Sequence, residues 1–333
     1  MNWLIKRVGQ AIFTLWVVVT LSFVLIRFMP GGPLDYLKVQ LREQGLPPST
    51  VNNYVQDYIQ MVPDDPLWVQ YVDYITAVVQ GNFGQSYYTN EPVFETLAAA
   101  MPWTVFLMSI ATFVTFGIGI ALGSLMAYLE GSKFDSTMTV VSIVLTSIPY
   151  YVLAVLLVYV MGYQLSYFPT GGRVDTSLSA GFHWPYVRSI LYYAALPLVS
   201  MIIPGWGGTA LSMRGNSISI LGEDYLRVAR LRGLPRRRIA LRYVARNAML
   251  PLYTGILISI GFMLGGSVIL ETIFNYTGIG YYLFEAVSSR DYPMMMGAFI
   301  FITIAVVIGV LVADLTYHKI DPRAAGEGER EAY

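Results

Sequence analysis

The sequence predicts an all-α integral membrane protein with six transmembrane helices and both termini in the cytoplasm. Three observations predict it. Hydrophobic residues make up 55% of the 333 residues and charged residues only 13%, about half the charged share of an ordinary soluble domain. Mean hydropathy is +0.55. Six uncharged runs, 8–26, 96–129, 136–172, 189–213, 247–270 and 292–313, match or exceed the roughly 20 mostly apolar residues that carry a helix across a bilayer. The expected helical cores are 8–28, 103–128, 137–161, 190–212, 251–272 and 294–315.

Orientation follows from Lys and Arg, which cytoplasmic loops retain. With the N-terminus inside, the inner set is Lys6, Arg7, Lys133, the nine arginines from Arg214 to Arg246, Lys319, Arg323 and Arg330. The outer set is Lys38, Arg42, Arg173, Arg188 and Arg290, so the count is 15 against 5.

Taken in order, residues 1–29 form the first span. It is expected to be retained, because its apolar run exceeds a signal-peptide core and Met29-Pro30-Gly31-Gly32-Pro33 offers no small-x-small cleavage site. Residues 30–102 form an extracytoplasmic segment with eight acids, two bases and, from Pro30 to Pro92, seven prolines. Within it, 49–61 and 67–80 are expected as short amphipathic helices on the membrane surface. The segment is too small for a core of its own and should pack on the spans. Residues 103–318 hold the remaining five spans and a cytoplasmic loop over 214–250; residues 319–333 form a cytoplasmic tail. The outer loop 163–188 is aromatic, with Tyr163, Tyr167, Phe168, His183, Trp184 and Tyr186. Interfacial anchoring and contact with a solute both account for it. Gly119 and Gly123, and Gly261 and Gly265, have the spacing that lets helix backbones approach closely.

Several function classes are excluded or disfavoured. A net charge of zero argues against a nucleic-acid binder acting through bulk charge. No cysteine is present, which removes disulfides and thiolate chemistry. The two histidines, His183 and His318, lie far apart and offer no ligand-like pairing. None of Lys6, Lys38, Lys133 and Lys319 follows a glycine, so there is no P-loop, and no G-x-S-x-G elbow occurs. Neither catalytic residues nor a metal site are expected. Arg27, Glu271 and Asp314 sit near span ends, and the span centres hold no ionisable residue. This disfavours an ion-coupled carrier. A membrane protein without its own energy source points to an energised partner, with a stand-alone channel or carrier as the alternative.

Loop 214–250 reads as two helices. The first starts at Glu223-Asp224 and stops at Gly233, with Pro235 after it. Acids at its start and Arg227, Arg230 and Arg232 toward its end suit the helix dipole, and Gly followed by Pro is a stop signal. Tyr225, Ala229 and Gly233 are four apart and share a face, predicting a shallow notch where another protein can sit close. The second, near 236–249, carries a basic stripe of Arg238, Arg242 and Arg246 beside an apolar face of Ile239, Ala240, Tyr243, Val244 and Ala248, suited to anionic lipid at the inner surface. Positive-inside charge alone accounts for the arginines; the helix, notch and stop argue for docking.

At this loop the chain resembles a known family. Glu223-Asp-Tyr-Leu-Arg-Val-Ala-Arg-Leu-Arg-Gly-Leu234 is similar to the EAA-type coupling motif of ABC importer permeases, and more narrowly to the dipeptide/oligopeptide/nickel group, whose version reads D-Y-V-R-T-A-R-A-K-G-L. Arg246-Asn-Ala-Met-Leu-Pro251 resembles that group's R-N-A-L-L-P, Gly81-Asn-Phe-Gly-Gln-Ser86 its G-D-L-G-x-S, and Gly265 to Phe274 its G-G-x-V-x-x-E-x-x-F. Asp321-Pro322-Arg323 stands where the group's tail has it. Departures are Thr277 for the proline of P-G-x-G and Arg232 for a lysine.

The resemblance implies a type I ABC importer permease fold and the first of two paired permease types. It implies a second homologous permease as partner, two cytoplasmic ATPases that bind ATP and Mg, and an extracytoplasmic solute-binding protein. It assigns the ATPase contact to Tyr225, Ala229, Arg230 and Gly233, with Glu223 and Asp224 setting the helix start. Arg238, Arg242 and Arg246 would hold the loop at membrane lipid. Di- and oligopeptides are the first substrate class and sugars or oligosaccharides the alternative. Nickel ranks third, since the spans lack histidine and carboxylate ligands. Translocation-path candidates are Ser147, Tyr150, Trp206, Met263 and Gly266, polar, aromatic or otherwise unusual for a lipid face.

Overall fold

The computed structural model describes residues 2–28, 39, 41–43, 45–59, 65–235, 238–263 and 267–320. Gly266 and Asp321–Arg323 lie outside them, as do the side chains of Gly261 and Met263. The described chain is helical: α1 Asn2–Phe28, α2 Pro48–Ile59, α3 Leu67–Val79, α4 Val93–Tyr128, α5 Lys133–Thr146, α6 Tyr150–Leu157, α7 Trp184–Leu221, α8 Asp224–Leu231, α9 Arg246–Met263, α10 Val268–Ile273, α11 Ile279–Ser289 and α12 Tyr292–Ile320. Two segments, Val158–Gln164 after α6 and Ile239–Ala245 before α9, wind as wider π-helical turns.

Among the described residues four helices are long and apolar enough to span a bilayer, over Ile5–Phe28, Val93–Tyr128, Trp184–Leu221 and Tyr292–Val312. They contain the expected first, second and fourth cores and most of the sixth. The third expected span, 137–161, is not one helix. It breaks between Thr146 and Tyr150, and the two halves bend by 83°. Pro149 explains the break, because it lacks an N–H and forces its predecessor out of the helical region. Ser147 closes the first half, its hydroxyl donating to the Ile143 carbonyl at 2.8 Å. The fifth expected span, 251–272, is helical through Met263 and again from Val268, with 264–266 outside the described residues. Helix α7 runs to Leu221, eight residues into the predicted loop.

The chain divides into two compact units. The first comprises Met1–Val105, Leu264–Thr272 and Thr277–Leu311. In it the predicted short helices appear as α2 and α3, and both are packed on spans. Val51 and Val55 of α2 and Tyr74 of α3 share a core with Val19, Phe23 and Ile26 of α1 and Met296 and Ile300 of α12. The Tyr71 hydroxyl meets Thr20 Oγ1 at 2.8 Å. A second core joins Val93, Leu97 and Ala100 of α4 to Ile279 and Ala286 of α11 and Met294 and Ala298 of α12.

Two polar anchors fix the motif segments of this unit. The Ser86 hydroxyl, at the end of Gly-Asn-Phe-Gly-Gln-Ser, donates to Asp291 Oδ2 at 2.5 Å, while Asp291 Oδ1 accepts from Met294 N at the start of α12. Glu271 of α10 is fully buried. Its carboxylate accepts from Thr104 Oγ1 at 2.9 Å and from Tyr281 N at 3.0 Å, and Thr104 Oγ1 in turn accepts from Ile279 N. Gly278 and Gly280 cradle it. A methyl group at 278 would stand 2.6 Å from Glu271 Oε2, and one at 280 would stand 2.9 Å from the Val268 backbone.

The second unit comprises Phe106–Met263, Ile273–Tyr276 and Val312–Tyr333. Here α5 and α6 both pack on α7. Gly119 and Gly123 of α4 press on Thr209, Ala210 and Met213 of α7, as the spacing predicts, so closely that a Cβ at either would collide. Gly207 does the same against α5, where a Cβ would lie 2.6 Å from the Ser142 carbonyl and from Thr146 Oγ1.

Candidate functional site

Helix α8 is the first loop helix in the predicted place. Glu223 is its N-cap and Asp224 its first residue; Arg232 is the C-cap. Gly233 follows at φ +69° with open space around it among the described residues, a left-handed stop that glycine adopts without penalty. Leu226 and Ala229 point inward. They form a small core with Ile239 and Val244, closed over by Ile220, Leu221, Leu234 and Tyr243.

That core changes the expected docking face. Ala229 is only 4% exposed and is covered by residues of its own chain, so the notch of Tyr225, Ala229 and Gly233 is not open at its centre. What faces outward is Tyr225, Val228 and Leu231, spaced by three, with Leu231 81% exposed. Arg227, Arg230, Arg232 and Gly233 are also exposed. Val228 and Leu231 carry no mark in the motif, but an eight-residue helix with apolar residues on two sides (226 and 229, then 225, 228 and 231) has one side more than its own chain needs.

The second motif locks onto the first. Asn247 Nδ2 donates to the Tyr225 hydroxyl at 3.2 Å and to the Tyr243 carbonyl at 2.8 Å. Asn216 Nδ2 of α7 donates to the carbonyl of the buried Ala248 at 3.2 Å. Arg-Asn-Ala is thus the clasp between α7, α8 and α9. The expected second helix near 236–249 is not separate; its π-helical turn runs straight into α9. Arg238, Arg242 and Arg246 are all exposed, while Ile239, Val244 and Ala248 are buried. The first of the loop arginines has a structural task instead. Arg214 Nε and Nη2 make a two-pronged pair with Asp135 Oδ1 and Oδ2 at 2.5 and 2.8 Å, and Asp135 also accepts from Gly131 N.

Two family models meet this geometry. Residues 119–326 match the binding-protein-dependent transport system inner membrane component, and residues 1–108 match the N-terminal part of such membrane components. The chain belongs to this permease family. The permease is 31% identical to the oligopeptide transport system permease AppB of Bacillus subtilis over 322 residues, 96% of this chain and 98% of that protein. It is 29% identical to the dipeptide transport system permease DppB of Escherichia coli K12, covering 97% and 98%. A chain of the MetNI methionine ABC transporter, in an inward-facing conformation, superposes with a TM-score of 0.53 at 14% identity, over 68% of the permease and 96% of that chain. That likeness carries the fold. The permease is a multi-pass inner-membrane component, and its family is the transport component rather than the ATPase.

The path candidates fall on two elements of the permease. Ser147 and Tyr150 flank the bend at Pro149; Ser147 is exposed and Tyr150 half-buried, its ring edge-on to Tyr151 at 5.7 Å. Trp206 is half-buried on α7 beside Gly207, the residue that presses on Thr146. Both halves of the broken helix pack on α7, so these three lie on neighbouring elements. Gly266 and the Met263 side chain lie outside the described residues.

Proposed function

We propose that this permease is the first-type subunit of an ATP-driven, binding-protein-dependent importer of di- and oligopeptides. Each chain would supply half of the pathway, paired with a second homologous permease, two cytoplasmic ATPases carrying ATP and Mg, and an external solute-binding protein. It would cross the membrane six times with both termini inside, the fifth crossing running over 251–272. The observation that carries the reading is the near end-to-end match to two permeases named for peptide transport. Those names favour peptide over sugar or nickel.

In this reading α8 is the coupling helix. Its inner side is held by Leu226 and Ala229, its phenol by Asn247, and its outer stripe of Tyr225, Val228 and Leu231 meets a hydrophobic groove on the ATPase. Arg230 and Gly233 lie at the edge of that contact, and Glu223 and Asp224 set the helix start. The exposed Arg238, Arg242 and Arg246 would rest on anionic lipid. Ser147, Tyr150 and Trp206, with Met263 and Gly266, would line the path.

The test is uptake of a radiolabelled dipeptide into proteoliposomes holding both permeases, the ATPases and the binding protein. Uptake should require ATP and every subunit. Equal uptake by this chain alone, without ATP, would make it a channel or carrier and end the importer reading.

A further inference from the structure

Helix α3 presents three faces where a helix on a protein's surface needs two. At ~100° per residue, Gln70, Tyr71, Tyr74 and Val78 fall on one side. Gln70 and Tyr74 are buried, and Tyr71 and Val78 pack against the core shared with α1 and α12. Asp73 and Thr76 are exposed together on a second side. Trp68, Val72 and Val79 line a third, about a quarter turn from the second. They are exposed as well, Trp68 by 71% and Val79 by 80%. Single exposed apolar residues are ordinary. Three in line, with the polar residues kept to a separate side, sort two different surroundings.

The neighbours of α3 fix its depth. The Tyr71 hydroxyl meets Thr20 of α1 at 2.8 Å, and the rings of Tyr71 and Tyr74 lie 5.2 and 6.0 Å from that of Phe23. Arg27 is the first charge after the apolar run of α1, and Thr20 and Phe23 precede it by seven and four residues. From the helical rise they lie roughly 10 and 6 Å below it. Helix α12 gives a like depth independently. Met296 and Ile300, in the same core, follow Asp291 by five and nine residues, roughly 7 and 13 Å. Every exposed residue of α1 from Leu21 to Phe28 is apolar: Leu21, Val24, Leu25 and Phe28. Lipid, not water, therefore surrounds α1 at the level where α3 packs on it.

We infer that α3 is sunk in the leaflet at the Arg27 end of α1, with Trp68, Val72 and Val79 against acyl chains and Asp73 and Thr76 toward headgroups and water. Interfacial helices bury their apolar side about 5–10 Å, the depth at which Tyr71 and Tyr74 grip α1, and an indole such as that of Trp68 suits the boundary. The amphipathic pattern of 67–80 predicts a surface helix with one apolar side. In the structure that side is taken up by protein, and a second apolar strip is left for lipid. Calling this leaflet the outer one rests on the orientation proposed above; the depth does not. Because α3 shares its core with α1 and α12, the strip holds the first unit at a fixed height in the bilayer.

The test is spin labelling of the purified transporter in phosphatidylcholine nanodiscs. The chain has no cysteine, so Val72→Cys, Val79→Cys and Thr76→Cys each give it a single nitroxide site, with the background read from the unsubstituted transporter. Oxygen gathers among acyl chains and a nickel chelate stays in water, so the ratio of their collisions with the label reads depth. That ratio should be several-fold higher at 72 and 79 than at 76. Equal ratios at the three positions would erase the two faces and overturn the inference. Few collisions with either reagent at 72 and 79 would mean that protein covers the strip, a partner subunit or the binding protein, and would overturn it as well. Lipid brominated on acyl carbons near the headgroup gives a check without labels. The emission that Trp68→Phe removes should be emission that bromine quenches; if bromine leaves it untouched, Trp68 does not meet lipid. Neither measurement involves transport. A wet α3 in a transporter that takes up dipeptide would sink this inference and leave the importer reading, and a lipid-facing strip in one that takes up none would do the reverse.

Discussion

Arg214 shows what a charge count does not report. It stands first among nine arginines of a predicted loop, yet it belongs to a helix and grips Asp135 with two hydrogen bonds. Asp135 is almost wholly buried, the Arg214 side chain 28% exposed. Removing the base strands an acid, which costs more than the pair itself contributes. Arg214→Met should therefore destabilise the protein by about 2 kcal/mol, a value lowered for the partly exposed guanidinium; Arg214→Met with Asp135→Asn should recover most of it, both read as shifts in unfolding midpoint in detergent. Gly280 is a case where trimming cannot help. A methyl there meets the Val268 backbone at 2.9 Å, so Gly280→Ala should cost roughly 1–3 kcal/mol whether or not Glu271 is shortened. At 278 the obstacles are the Thr104 hydroxyl and the Glu271 carboxylate, and Thr104→Ala should relieve part of the strain of Gly278→Ala in the same melts.

Among the elements, α8 separates two kinds of loss. Leu231→Asp sits on the outer stripe, 81% exposed, and should leave the melting profile unchanged while ATP-driven uptake falls tenfold or more. Ala229→Glu forces a charge into a closed core and should lower stability before any question of coupling arises. If Leu231→Asp transports normally, the outer stripe is not the ATPase contact. The start and stop of this helix were legible, because capping and a left-handed glycine are local events: Glu223, Asp224 and Gly233 stand where the residues put them. Which face it buries was not, since that depends on Ile239 and Val244 arriving from further along the chain. The same division explains the third span. Its apolar run was plain, but composition does not report an 83° bend; Pro149 was the local signal. The second loop helix was placed by its apolar face, and only the structure joins it to α9.

For the molecule as a whole, the sequence located apolar chain without giving its form. Six uncharged runs stand against four helices long and apolar enough to span and one bent pair among the described residues, because hydropathy records where apolar chain lies and not how it is cut. Within 30–102, α2 and α3 share their core with α1 and α12. Val55→Asp in α2 should therefore loosen the first unit, α1 included, and open protease sites in both places together. Release of α2 alone would show an autonomous domain. The buried carboxylate has a consequence for how the chain is made. Glu271 accepts hydrogen bonds from groups that flank it in time as well as in space: Thr104 is synthesised 167 residues earlier, Tyr281 ten residues later. Translocation machinery handing over α10 thus delivers an acid whose first partner already waits and whose second has yet to emerge. Insertion of this segment has to be held open until α11 follows, which makes the order of biogenesis a property written into one side chain.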